Sequence, residues 1–148
     1  MDLSPAIDLI RQFEGFRSEP YLCPARVPTI GWGFCHYGDG RAVSLDDAPM
    51  PRAQADALLE QMVGTIYLPG VLRLCPPTVS HSGALNALVD FAWNLGLGRL
   101  QTSTLRRVVN ARDWGEGRRQ LRRWVRAGGR VLPGLVARRE AESALLPL

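Results

Sequence analysis

Ala6, Leu9, Ile10 and Phe13 recur at helical spacing behind Ser4-Pro5, an N-cap residue followed by a proline at the first helical position. Gly15 then acts as a stop, which predicts a helix over about 5–14 with Glu14 as its last residue. From Tyr21 to Cys35 the texture changes. Pro20, Pro24 and Pro28 exclude helix, while Val27, Thr29, Ile30 and Trp32 favour strand, so a short irregular antiparallel hairpin is expected. His36 to Pro51 carries turn chemistry in Gly38-Asp39-Gly40 and Asp46-Asp47. Beyond Pro51 the pattern is helical almost to the end, over about 52–67, 81–95, 104–111, 114–127 and 134–146. The 81–95 segment is apolar nearly all round, as a central buried helix is. Ser103 is placed to cap the helix at 104, and Gly128-Gly129 to end the one before the last.

This order predicts a mainly α, α+β chain of two lobes, with a small N-terminal β-hairpin lobe and a larger helical lobe. The expected boundaries are a β lobe at about 17–50, a connecting helix at about 52–67 and a helical lobe from 1–16 and 68–148, all within one domain spanning 1–148. A cleft between two such lobes suits an extended substrate.

Composition is ordinary for a globular protein, at 46% hydrophobic and 22% charged residues. The start, Met1-Asp2-Leu3-Ser4-Pro5, does not read as a secretory signal, and the longest apolar region, 83–98, is interrupted by Asn86, Asp90 and Asn94. Synthesis in a host cytoplasm is therefore expected. The three cysteines, Cys23, Cys35 and Cys75, match neither a zinc site nor a disulfide framework, and at least one must be a free thiol. Two histidines, His36 and His81, without a ligand cluster give no metal site.

Charge is uneven. The net +4 divides into −4 over residues 1–96 and +8 over residues 97–148, and every basic residue is Arg. The basic half suggests an anionic partner, either a cell wall, a membrane surface or nucleic acid; a solvated arginine face is the plain alternative.

Glu14 is the first candidate for chemistry. A carboxyl group at a helix C-terminus faces unpaired carbonyls and the negative pole of the macrodipole, and Phe13 and Phe16 beside it reduce solvation. Both disfavour the anion, and glycosidic cleavage needs an acid that still holds its proton. From position alone, a surface glutamate closing a helix is the commoner explanation of Glu14. The surroundings are more specific. Phe13-Glu14-Gly15-Phe16-Arg17 is followed by Pro20-Tyr21-Leu22-Cys23-Pro24 and Pro28-Thr29-Ile30-Gly31-Trp32-Gly33, which spaces Glu14, Cys23 and Thr29 by eight and five residues. Downstream come Phe91-Ala92-Trp93-Asn94-Leu95-Gly96 with Ser103-Thr104-Leu105, then Trp124-Val125-Arg126-Ala127-Gly128-Gly129 and Leu132-Pro133-Gly134-Leu135-Val136-Ala137-Arg138-Arg139-Glu140.

In these four collinear blocks, which cover roughly residues 4–146, the chain resembles the phage-type lysozymes of glycoside hydrolase family 24. The resemblance implies a lysozyme-like fold and hydrolysis of the β-1,4 bond between N-acetylmuramic acid and N-acetylglucosamine in bacterial peptidoglycan. It makes Glu14 the general acid, with Cys23 and Thr29 holding the attacking water. It places Gly31, Trp93, Asn94 and Thr104 along the saccharide cleft, with no metal and no organic cofactor. It also implies an endolysin that acts as a monomer on the periplasmic wall after release, with a holin as the partner that opens the membrane.

Several readings of single residues stay open at this point. Cys23 stands where an aspartate is the alternative, and a neutral thiol is a poor base unless something lowers its pKa; it also fits as a small buried residue. Trp93 suits a sugar platform or a core position. Arg138 or Arg139 can turn from the last helix toward Glu14, although an exposed arginine face is the commoner outcome. A wall-binding module without chemistry is a second class of function. A nucleic-acid binder using Arg118, Arg119, Arg122, Arg123 and Arg126 is a third, but no stacking platform accompanies those arginines, so no nucleic-acid partner is expected. The stretch 117–127, read as one basic helix with Leu121, Trp124 and Val125, is a candidate for outer-membrane contact.

Overall fold

A computed structural model describes all of residues 1–148. Helix α1 (Ser4–Glu14) buries Ala6 and Ile10 against α4 (Ser82–Leu95), whose residues Ala84 to Ala92 are all buried. Asn86 ties the two together: its Oδ1 accepts from the Ala6 N–H at 2.9 Å and its Nδ2 donates to the Asp2 carbonyl at 3.0 Å. Ser4 is not the N-cap. Leu3 takes that place without a side-chain bond, and Asp2 Oδ1 accepts from the Ser4 N–H instead. Gly15, at φ +70°, ends α1 as expected.

The β lobe is built from β1 (Arg17–Leu22) and β2 (Pro28–Gly31), paired antiparallel with Tyr21 opposite Thr29 and Leu22 opposite Pro28. The register slips between Arg17 and Tyr21, around Pro20, which has no N–H to offer a ladder. Ile30, Trp32 and Phe34 follow into the core, so the hairpin lobe and the helical lobe share one set of buried apolar side chains. Gly31 (φ +66°) permits this turn: a Cβ there would sit 2.7 Å from the Phe34 ring.

Helix α2 (Arg52–Met62) leads out of the β lobe, and its path differs from the expected single helix over 52–67. A wide π-helical turn (Val63–Tyr67) carries it directly into α3 (Leu68–Leu74), and a short 3₁₀ turn (Pro76–Ser80) precedes α4. Pro69 and Gly70 obscured this continuation in the sequence, yet proline is tolerated in a first helical turn, and Gly70 lets Leu97 pack against the backbone. Helix α5 (Leu97–Thr102) was not expected; Gly96 and Gly98 masked it. Ser103 caps α6 (Thr104–Asn110) by accepting from the Arg106 N–H at 3.0 Å, as anticipated.

The region 114–127 requires the largest correction. Helix α7 (Trp114–Leu121) stops six residues early, and the chain then forms a small hairpin of β3 (Arg126–Ala127) and β4 (Arg130–Val131). Gly128 (φ +57°) and Gly129 (φ +77°) make its two-residue turn rather than a helix end, since left-handed conformations at both central positions suit a tight hairpin. The basic positions therefore do not share one helical face. Arg118 donates to the carbonyls of Leu146 and Pro147, while Arg119 pairs with Glu116 and Arg122 with Glu140. Helix α8 (Pro133–Leu145) begins at its proline and packs on α4, α7 and α1. No helix is long and apolar enough to cross a membrane.

Candidate active site

Glu14 ends α1 where the two lobes meet, and its side chain retains 23% exposure. Its oxygens have different neighbours. Oε1 accepts from Arg138 Nη1 at 2.8 Å. Oε2 lies over Gly33, where a Cβ would come within 2.8 Å of it, so the glycine (φ +89°) lets backbone and carboxyl meet. A cavity of about 310 Å³ opens on one side, lined by Phe13, Glu14, Asn94, Leu132, Gly134, Leu135 and Arg138. Gly33 borders a second cavity of about 210 Å³, walled by Phe34, Cys35, Met62, Tyr67 and Trp93. Burial pushes the phenols of Tyr21 and Tyr67 up, with the Glu14 charge adding at Tyr21 and Cys35 and Glu14 adding at Tyr67.

Arg138 does not lie on an exposed face. It is 3% exposed and grips Asp90 with two parallel bonds, Nε to Oδ2 at 2.9 Å and Nη2 to Oδ1 at 2.7 Å, leaving Nη1 for Glu14. Burial alone would weaken its hold on a proton; Asp90 and Glu14 more than offset that and push it above the ordinary arginine value. Arg139 is also fully buried and donates to Asn94 Oδ1 at 2.9 Å. Asp90 was visible in the sequence only as an interruption of an apolar helix. A lone acid inside such a run signals a buried cationic partner, because an unpaired buried carboxylate is very costly.

The remaining expected residues are distributed as follows. Cys23 follows β1, half-buried, and its thiol is held below the ordinary cysteine value, chiefly by the Val27 backbone N–H, with burial opposing and Thr29 adding. Thr29 is 3% exposed on β2; its hydroxyl donates to the Val27 carbonyl at 2.9 Å and lies 4.0 Å from Cys35 Sγ. Gly31 is buried beneath Phe34. Trp93 is both core and wall, tilted against Tyr67 at 5.1 Å and edge-on to Phe34 at 5.9 Å while bordering the second cavity. Asn94 borders the Glu14 cavity, with its carbonyl committed to Arg139 and its amide hydrogens uncommitted. Thr104 is exposed and lines a different depression with Gln120, Arg123 and Trp124. No three His, Cys, Asp or Glu side chains gather into a group able to hold a metal ion.

The three thiols predict distinct reactivities. Burial pushes Cys75 up to about 11, and it is 0% exposed. Iodoacetamide near neutral pH is therefore expected to label Cys23 and to leave Cys75 untouched until the protein unfolds, because the thiolate is the nucleophile. Peptide mapping checks this; labelling of Cys75 at the same rate as Cys23 would contradict it.

Residues 11–142 match the phage lysozyme family model. The endolysin of Bacillus phage B103 is 37% identical over 151 aligned positions, which cover 98% of this chain and 54% of that protein. The chain thus spans about half the length of the curated Bacillus phage relatives it matches. Among solved structures, the active form of the P1 phage endolysin superposes with a TM-score of 0.80 at 25% identity, covering 96% of this chain and 82% of that one. The muramidase domain of a protein from Asticaccaulis excentricus superposes with a TM-score of 0.77 at 27% identity, covering 96% and 94%.

Proposed function

Since this chain belongs to the phage lysozyme family, we propose that it is an endolysin muramidase that hydrolyses the β-1,4 bond between N-acetylmuramic acid and N-acetylglucosamine in peptidoglycan. Residues 1–148 make up one catalytic domain in this reading. The observation that carries it is the position of Glu14, with one oxygen fixed by Arg138 and the other lying beside Gly33 where two cavities adjoin.

Glu14 acts as the general acid and gives its proton to the leaving glycosidic oxygen as the sugar acquires oxocarbenium character. The carboxylate that remains is met by the Arg138 guanidinium. Cys23 and Thr29, on the β lobe, hold the attacking water. The lone pairs of the Thr29 oxygen accept from it, and the lowered thiol gives Cys23 more anionic character than an ordinary cysteine. An aromatic wall of Trp93 and Tyr67 receives a sugar face and Asn94 offers its amide hydrogens to an N-acetyl carbonyl, whereas Gly31, buried against Phe34, and Thr104, in a separate depression, line neither cavity.

The protein works as a monomer, reaching the wall from the host cytoplasm through a membrane lesion made by a holin, and its Arg-rich second half favours contact with the anionic wall and outer membrane. Purified protein added to outer-membrane-permeabilised cells is expected to clear the suspension. Persistent turbidity under conditions where a control muramidase clears it would contradict the reading.

A further inference from the structure

Arg139 is 0% exposed, with its guanidinium over the Phe91 ring at 5.2 Å. Its hydrogen bonding is one-sided. Nε and Nη1 are buried without a partner, while Nη2 donates to Asn94 Oδ1 at 2.9 Å. Its charge is met from within α8, where Glu142, also 0% exposed, brings Oε1 to 2.8 Å from the same Nη2. Glu142 therefore holds the guanidinium in the interior as an ion-pair partner, and Asn94 receives the one directed hydrogen bond that it makes.

A guanidinium can only donate, so an amide that faces it must present its oxygen. Turned over, the Asn94 amide would set N–H against N–H. The buried guanidinium would then have no directed acceptor at all, which desolvation makes costly. The Asn94 Nδ2 hydrogens are consequently the donors left for the cavity of about 310 Å³ beside Glu14. Arg138, which also lines it, is committed to Asp90 and Glu14. Phe13, Leu132 and Leu135 supply apolar walls. A donor that cannot turn into an acceptor, set among apolar walls, suits a group that joins a carbonyl oxygen to a methyl, as an acetamido group does. An ammonium group at the same place meets donors on Asn94 where it needs an acceptor.

We propose that Arg139, held in the core by Glu142, is a positioning residue that determines specificity. It fixes the Asn94 amide with its donors toward the cavity, so that the site beside Glu14 takes the acetamido group of an N-acetylated sugar and refuses the free amine of a de-N-acetylated one. The proposal rests on the muramidase reading, but the Arg139–Asn94 lock itself can be read without any activity.

Asn94→Asp gives Arg139 a charged acceptor in the same place, whereas Asn94→Leu removes the acceptor. The thermal midpoint is expected to hold or rise for aspartate and to fall by about 3–10 °C for leucine. A midpoint that falls further for aspartate than for leucine would overturn the lock. Arg139→Met/Glu142→Leu removes the lock without leaving either charge alone in the interior. Wild type is expected to digest purified peptidoglycan with a higher kcat/KM than the same wall after de-N-acetylation. The double variant should lower that preference by roughly three- to tenfold, near the worth of one hydrogen bond. Its kcat/KM on the de-N-acetylated wall should change by less than about twofold, which a general loss of structure would not give. A folded double variant with the wild-type preference would overturn the proposal; where the double variant does not fold, the order of the two Asn94 midpoints decides. A wild type that digests neither wall would overturn the specificity role together with the muramidase reading, while the midpoint order would still establish or exclude the lock.

Discussion

Glu14→Gln is expected to lower the rate of wall digestion by about 10²–10⁴-fold, the contribution typical of a positioned general acid. The substitution is chosen because it removes only the transferable proton. Glutamine is isosteric, and its carbonyl oxygen can still accept from Arg138 Nη1, which now reaches Glu14 Oε1 at 2.8 Å. Gly33 leaves room for the amide nitrogen in place of Oε2. The thermal midpoint should therefore change little while clearing of permeabilised cells stops. Digestion by the variant at the wild-type rate would remove Glu14 as the acid and leave a binding role for the cleft. A variant that fails to fold would show that the Arg138 contact needs a full negative charge, and circular dichroism separates the two outcomes.

Arg138→Leu should be the most damaging single change to stability. It strands Asp90, 0% exposed, without either of the two guanidinium bonds it now accepts. Breaking a buried pair by removing one partner costs about 3–5 kcal/mol, a large part of a total of about 5–15 kcal/mol. For a chain of this size the thermal midpoint should fall by about 6–20 °C. Removing both charges in Arg138→Leu/Asp90→Leu should recover part of that loss, because no buried charge is then left alone. Activity should not return with the fold, since Glu14 would still lack its anchor. A midpoint unchanged by the single substitution would mean that the Asp90–Arg138 pair is not buried as described. Arg138→Lys keeps the charge but loses the fork, and it should retain more stability than the leucine variant without restoring full activity.

Much of this arrangement was legible in the chain. The periodicity of Ala6, Ile10 and Phe13 with the stop at Gly15 located α1 and put Glu14 at its end. The apolar run broken at Gly96 located α4. What sequence could not resolve was decided by tertiary contacts. Gly128-Gly129 is equally good chemistry for ending a helix and for turning a hairpin, and the short β3–β4 pair took the second course. Ser4 looked like a cap, but the helix begins at Ser4 itself, whose N–H donates to Asp2 Oδ1. The arginines were the hardest to place. Arg138 and Arg139 stand in a run that resembles any solvated basic face, and only the single acid Asp90, 48 residues earlier in a buried helix, marked one of them as internal.

The central claim, that this chain is a hydrolase of the muramic acid bond, is tested most directly by mass spectrometry of the fragments released from purified peptidoglycan. The account predicts fragments ending in reducing N-acetylmuramic acid, produced by the wild type and missing from the Glu14→Gln digest. Fragments ending in anhydro-muramic acid, in reducing N-acetylglucosamine, or free stem peptides would contradict it.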